Sequence, residues 1–180
     1  MTGHIKFGIN PLPALKPLVW IGGAKEDLSA FPDAVKMDIG HALFVAQQGG
    51  KAPAAKPLKG FGGAGVLEAR GARDMARREK PAVTTGSAFH ALGLPDADEL
   101  VLRSALIRKA AEAVRASGLT QSAVGRLVGM EQPRISALLA EKISLFSTDR
   151  LVAVLVALGH DIVVKIRRSK SGQGRMRVAA

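Results

Sequence analysis

Between Leu119 and Leu139 the chain reads LTQSAVGRLVGMEQPRISALL, and the order of small, apolar and turn residues in that stretch admits few folds. Counted from Gln121, a small residue stands fifth (Gly125) and a glycine ninth (Gly129), with apolar residues fifteenth (Ile135) and eighteenth (Leu138). A small fifth residue lets two helices cross closely. A ninth glycine allows the left-handed backbone of a tight turn, which is costly for residues that carry a Cβ. Ile135 and Leu138 lie three apart and share one helical face directed at a core. Val124, Leu127 and Val128 supply the matching face of the first helix. The spacing therefore describes a helix, a tight turn and a second helix.

The second helix has a distinct outer surface. Pro133 fits a first turn, where its missing N–H would be unbonded in any case. Gln132 and Ser136 are four apart and point away from Ile135 and Leu138, and Arg134 lies at the edge of that surface. Glutamine suits a bidentate contact with adenine, and serine donates or accepts at several base edges. A polar triplet is by itself an ordinary solvated face. The spacing around this one favours a helix-turn-helix that lays its second helix in the major groove of DNA.

Charge points the same way. The chain has 26 Lys+Arg against 15 Asp+Glu, a formal net charge of +11, which favours a polyanionic partner. Residues 1–74 hold 9 basic and 6 acidic side chains, whereas residues 75–180 hold 17 and 9, so most of the excess lies in the second half. No apolar run is long enough to span a bilayer. The first residues, MTGHIKFGINPLPALKPLVWIGG, are broken by proline and glycine, so a cytoplasmic, nucleoid-associated protein without export is expected. There is no cysteine, and the four histidines (His4, His41, His90, His160) are scattered without metal-ligand spacing, so neither a metal, nor a cofactor, nor a catalytic residue is expected.

The chain divides into four parts. Residues 1–70 form a first segment. Residues 71–97 include GARDMARREKPAVTTGS, a mixture of charged, hydroxyl, proline and glycine residues without hydrophobic period, which suits a linker. Residues 98–167 form the helical domain. Leu100, Ala105, Leu106, Ala110, Ala113 and Val114 fall near helical spacing, Gly118 ends that helix and Thr120 can cap the next. Ser147 or Thr148 can cap a further helix carrying Leu151, Val154, Leu155 and Leu158, which Gly159 stops. HDIVVKIRR then alternates as a short strand with Ile162, Val164 and Ile166 on one side. Its unpaired backbone wants a partner. Pairing with the same strand of a second copy would give a homodimer that matches two recognition helices to two half-sites roughly 34 Å apart; docking within its own chain is the alternative. Residues 168–180 are a basic tail, fit either to follow phosphates or simply to keep the chain soluble.

GLPDADELVLRSALIRK, LTQSAVGRLVG, QPRISALL, SLFSTDRL and ALGHDIVVKIR resemble, in that order, the lambda-repressor-like (XRE) helix-turn-helix family, and within it the HigA-type antitoxins. The resemblance covers nearly everything from Met75 onward. It implies a transcriptional repressor of its own toxin–antitoxin operon that binds a palindromic double-stranded DNA operator as a dimer and neutralises a toxin. It assigns Gln132, Pro133 and Ser136 to base-facing positions and Gln121, Arg134 and Thr148 to positions near the DNA backbone. Gly125 departs from the family, which usually has alanine there, and glycine costs up to about 1 kcal/mol of helix propensity.

The first segment carries a second resemblance. In residues 14–70, LVWIG reads as a strand, AKEDLSAFP and DAVKMDIGHALFVAQQG as two helices with an apolar stripe of Leu28, Phe31, Val35, Ile39, Leu43 and Phe44, and KPLKGFGGAGVLEAR as the start of a second strand. This resembles the front half of a RelE/HigB-like toxin of the phage-derived kind, whose further strands carry the groups that cleave messenger RNA; here those strands are missing. Such a remnant buries little apolar surface, so it is expected to be poorly stable, or rescued by pairing with the strand near Ile162. Lys56, Lys59 and His41 form no closely spaced acid–base pair and read as surface residues. The expected fold is thus mainly α, a five-helix-type helix-turn-helix domain with a C-terminal strand, preceded by an incomplete α+β, RelE-like segment. The expected function is a non-enzymatic, DNA-binding antitoxin-type regulator. The alternatives are an interaction protein that sequesters a RelE/HigB-like toxin, and a fused toxin–antitoxin with latent mRNA-cleaving activity.

Overall fold

The computed structural model describes residues 15–57, 67–68 and 82–168. In chain order these form β1 (Leu18–Trp20), α1 (Ala24–Ser29), α2 (Asp33–Gln47), β2 (Lys56–Pro57), β3 (Leu67–Glu68), β4 (Ala82–Thr84), α3 (Ala88–Ala91), α4 (Ala97–Ala116), α5 (Gln121–Val128), α6 (Gln132–Leu139), a single 3₁₀ turn (Ile143–Leu145) and α7 (Thr148–Ala157). The architecture is mainly helical, as the sequence predicts. The helix boundaries follow from local chemistry. Gly118 (φ 66°), Gly129 (φ 64°) and Gly159 (φ 82°) supply the left-handed residues at which α4, α5 and α7 stop. The Thr120 hydroxyl accepts from the Ala123 N–H at 3.2 Å and caps α5. Ser147 occupies the cap position of α7.

Two apolar cores share α4. The first joins α4, α5, α6 and α7 through Ile107, Val114, Val124, Ile135, Leu138, Phe146, Leu151 and Val154. Val128 packs on its edge, whereas Leu127, expected on the same face, is exposed. On so short a helix the buried stripe runs through Val124 and Val128, four apart, and Leu127 falls beside it. The second core joins Trp20, Leu28 and Phe44 from the first segment to Phe89, Leu92 and Leu100 from α3 to α4, and to Ile143 from the 3₁₀ turn. Of the apolar stripe expected in the first segment, Phe44 is the most buried, while Val35 is 37% exposed.

This second core changes two expectations. The stretch 82–97 is not a featureless connection. Ser87 accepts from the His90 N–H and caps α3, Ala88 and Phe89 are wholly buried, and β4 pairs antiparallel with β1, Val83 opposite Val19. The missing signal was a hydrophobic period, which a four-residue helix and a three-residue strand are too short to show. Nor does the first segment stand alone as a remnant. α2 packs on α3, α4 and the 3₁₀ turn, so its apolar face is covered by the helical domain.

The expected strand near Ile162–Ile166 does not form. Residues 160–168 have no regular structure, and Val163, Val164 and Ile166 are 87%, 76% and 90% exposed. Among the described residues the sheet pairings are β1 with β4 and β2 with β3. A strand needs a neighbouring backbone, and β1 has taken its partner from residues 82–84 instead. Residues 169–180 of the basic tail, Lys59 and residues 71–81 of the expected linker lie outside the described residues. No helix among the described residues is long and apolar enough to cross a membrane.

Candidate nucleic-acid interface

The interface is built from α5 and α6. The chain turns between them at Gly129, and Met130 N–H returns to Gly125 C=O at 2.8 Å. That return brings the two helices close. A Cβ placed on Gly125 would lie 2.4 Å from the Met130 carbonyl oxygen, well inside contact distance. The departure from alanine at this position is therefore required by the tightness of the turn, and is not merely a loss of helix propensity. Arg150, on α7, donates to Gly129 C=O at 2.7 Å and braces the turn from the other side.

Within α6, Ile135 and Leu138 are wholly buried, while Gln132, Pro133, Arg134 and Ser136 are exposed. The outer face expected from spacing is present, with Pro133 in the first turn. The structure also joins two residues that the sequence placed in different roles: the Gln132 Nε2 donates to the Gln121 Oε1. Gln121 opens α5 and Gln132 opens α6, so this bond links the starts of both helices. It fixes the direction of the Gln132 amide and leaves its oxygen, and the second hydrogen of its NH₂, free for a base edge.

Arg134 and Thr148 are more committed than the sequence indicates. The Arg134 guanidinium donates to Leu145 C=O at 2.6 Å and lies 5.2 Å from the centroid of the Phe146 ring, a favourable cation–π placement. It holds the end of the 3₁₀ turn with part of its donor set, and the guanidinium keeps its charge and further N–H groups. The Thr148 hydroxyl donates to Glu99 Oε1 at 3.0 Å. Its single proton is thereby used, so a phosphate at Thr148 would be met by the amino end of α7 rather than by the hydroxyl. The Glu99 carboxyl is held below its usual range chiefly by its hydrogen bond from Arg103, then by that from Thr148. Asp149 is held low by a hydrogen bond from Ser147. An open cleft beside α6, lined by Met130, Glu131, Arg134, Ser147, Asp149 and Arg150, therefore carries both signs of charge. It is no anion funnel.

Sequence reasoning missed His41. It is buried, not superficial: Nδ1 lies 2.8 Å from Ser104 Oγ and Nε2 lies 3.0 Å from Glu141 Oε2, with Ser104 wholly buried and Glu141 8% exposed. Ser, His and Glu in a row resemble a hydrolytic triad, but no substrate reaches a serine at zero exposure. Among the described residues no group of three His, Asp or Glu side chains is placed to hold a metal ion.

Residues 88–167 match the family described as a helix-turn-helix domain. A solved chain described as an XRE family transcriptional regulator is 30% identical, the match covering 48% of this chain and 97% of that one with a TM-score of 0.42. No curated protein matches the chain.

Proposed function

We propose that the chain, whose residues 88–167 match a helix-turn-helix domain family, is an XRE-type, sequence-specific transcription regulator of antitoxin type. It occupies a palindromic operator as a homodimer and represses its own operon, without enzymatic activity. The observation that carries this reading is the outer face of α6: Gln132, Pro133 and Ser136 exposed on a helix whose opposite face is wholly buried, with Gln132 oriented by Gln121. Gln132 and Ser136 read bases, and Gln121, Arg134 and the amino end of α7 at Thr148 hold phosphates. The net charge of +11 supplies the sequence-independent part of the affinity. Dimerisation draws support from the exposed apolar residues Ile162 to Ile166, which form a strand once a second copy offers its backbone.

The antitoxin reading rests on the resemblance of the second half to HigA-type proteins and of the first to a RelE/HigB-like toxin, and it makes such a toxin a second partner. Burial of His41 between Ser104 and Glu141 removes it from acid–base chemistry on RNA and weighs against latent cleavage. The test is binding of the full chain to duplex DNA from directly upstream of its reading frame, against random duplex, over a range of salt concentrations. Tighter binding to the upstream duplex that weakens as salt rises is the expected result. Equal, weak binding to both would refute operator reading.

A further inference from the structure

The loop that leaves the recognition helix is held at successive points by one face of α2. Glu141 sits just past the end of α6 in the left-handed region, at φ 54°. Its N–H returns to Leu138 C=O at 2.9 Å, and Lys142 N–H returns to Ala137 C=O at 3.1 Å, the pattern in which a helix normally ends on glycine. A side chain in that conformation is strained, so something must hold it there. His41 does: its Nε2 meets the buried Glu141 carboxylate at 3.0 Å, and Ser104 on α4 fixes the other ring nitrogen at 2.8 Å. A carboxylate only accepts, so Nε2 carries the proton.

Three residues earlier on the same face of α2, Asp38 accepts from Ser144 twice, from its N–H and its hydroxyl, each at 3.0 Å. Between these anchors Ile143 is wholly buried in the core that α2 shares. The next carbonyl, Leu145 C=O, accepts from Arg134 on the recognition helix itself. Glu141, Ile143 and Ser144 are thus tied to α2, and the same loop is tied to α6 through its helix end and through Arg134.

We propose that α2 is an intramolecular clamp that sets the pose of the recognition helix, with His41 and Asp38 as positioning residues for DNA reading. The proposal rests on the DNA-reading function of α6. It gives the first segment a role in recognition. A shift of α6 along its axis or about it moves Gln132 and Ser136, and Arg134 with them, but leaves Gln121 and the amino end of α7 in place, so the clamp acts more on discrimination than on non-specific affinity.

The test compares full-length wild type, H41A, E141Q and E141G. E141Q keeps an oxygen that accepts from His41. E141G removes that acceptor but places at φ 54° the residue that suits it, so it breaks the clamp without adding backbone strain. Each protein is measured without DNA by amide hydrogen exchange, and with DNA on a duplex that wild type selects from a randomised pool, against random duplex. In H41A and E141G the amides at the end of α6 exchange about tenfold faster while those of α4 and α7 stay closer to wild type. Discrimination falls about tenfold in the same two proteins with an unchanged salt slope, and E141Q behaves as wild type. Exchange that rises equally over α4, α6 and α7 would mean that these residues only stabilise the fold, and would overturn the proposal. So would faster exchange confined to α6 with discrimination intact. A wild-type chain that selects no duplex fails before any variant is compared, and it overturns the DNA-reading premise instead.

Discussion

Gln132 and Gly125 show what single residues contribute. Gln132 is exposed on α6 and bonded to Gln121. Gln132→Ala is expected to cost about 1–3 kcal/mol at the cognate duplex and little on random DNA, measured by titration of both; equal loss on both would remove it from base reading. Gly125→Ala gains helix propensity but sets a Cβ against the Met130 carbonyl at 2.4 Å. The steric cost prevails, and denaturant unfolding is expected to show a loss of about 1–3 kcal/mol. Glu99 titrates low because Arg103, then Thr148, bond its ionised form. A folded pKa below the unfolded value gives stability that is complete above the unfolded value and is lost as pH falls through the folded one. The stability difference between wild type and Glu99→Gln should therefore shrink on acidification below about pH 4.5; a difference independent of pH would contradict this. The exposed face of α6 was legible, because it follows from spacing alone. The Arg134 bond to Leu145, the Arg150 bond to Gly129 and the burial of His41 were not, since each depends on a partner brought close only by the tertiary fold.

At the scale of elements, local and non-local signals separate cleanly. α4 to α7 were readable because caps, terminal glycines and apolar periods all lie within each segment. α3 and β4 were too short to carry a period, and 160–168 has strand-forming residues without a partner. α2 was readable as a helix but not as part of the helical domain, because its partners Phe89, Leu100 and Ile143 stand far along the chain. Its packing has a measurable consequence. Phe44, 2% exposed, meets Phe89 with ring centroids 5.6 Å apart. Phe44→Ala should destabilise the helix-turn-helix by about 3–5 kcal/mol, with signals from both segments lost in one cooperative transition. Two separate transitions, with the helical domain unaffected, would show that the first segment is a passenger.

For the molecule as a whole, charge and symmetry carry the account. The net charge of +11 is partly fixed in direction: Arg115, Arg134 and Arg150 each donate to a backbone carbonyl around the motif and keep their charge. Sedimentation of the full chain should show a dimer, and replacing both Val164 and Ile166, exposed in the single chain, with charged residues should shift it toward monomer. An unchanged dimer would place the contact elsewhere. The most direct test of operator reading is a hydroxyl-radical footprint of the full chain on the upstream duplex. Two protected patches on one face of the DNA, centred roughly 34 Å apart and lost together in Gln132→Ala, are the predicted result. Protection spread evenly along the duplex, or none, would contradict it.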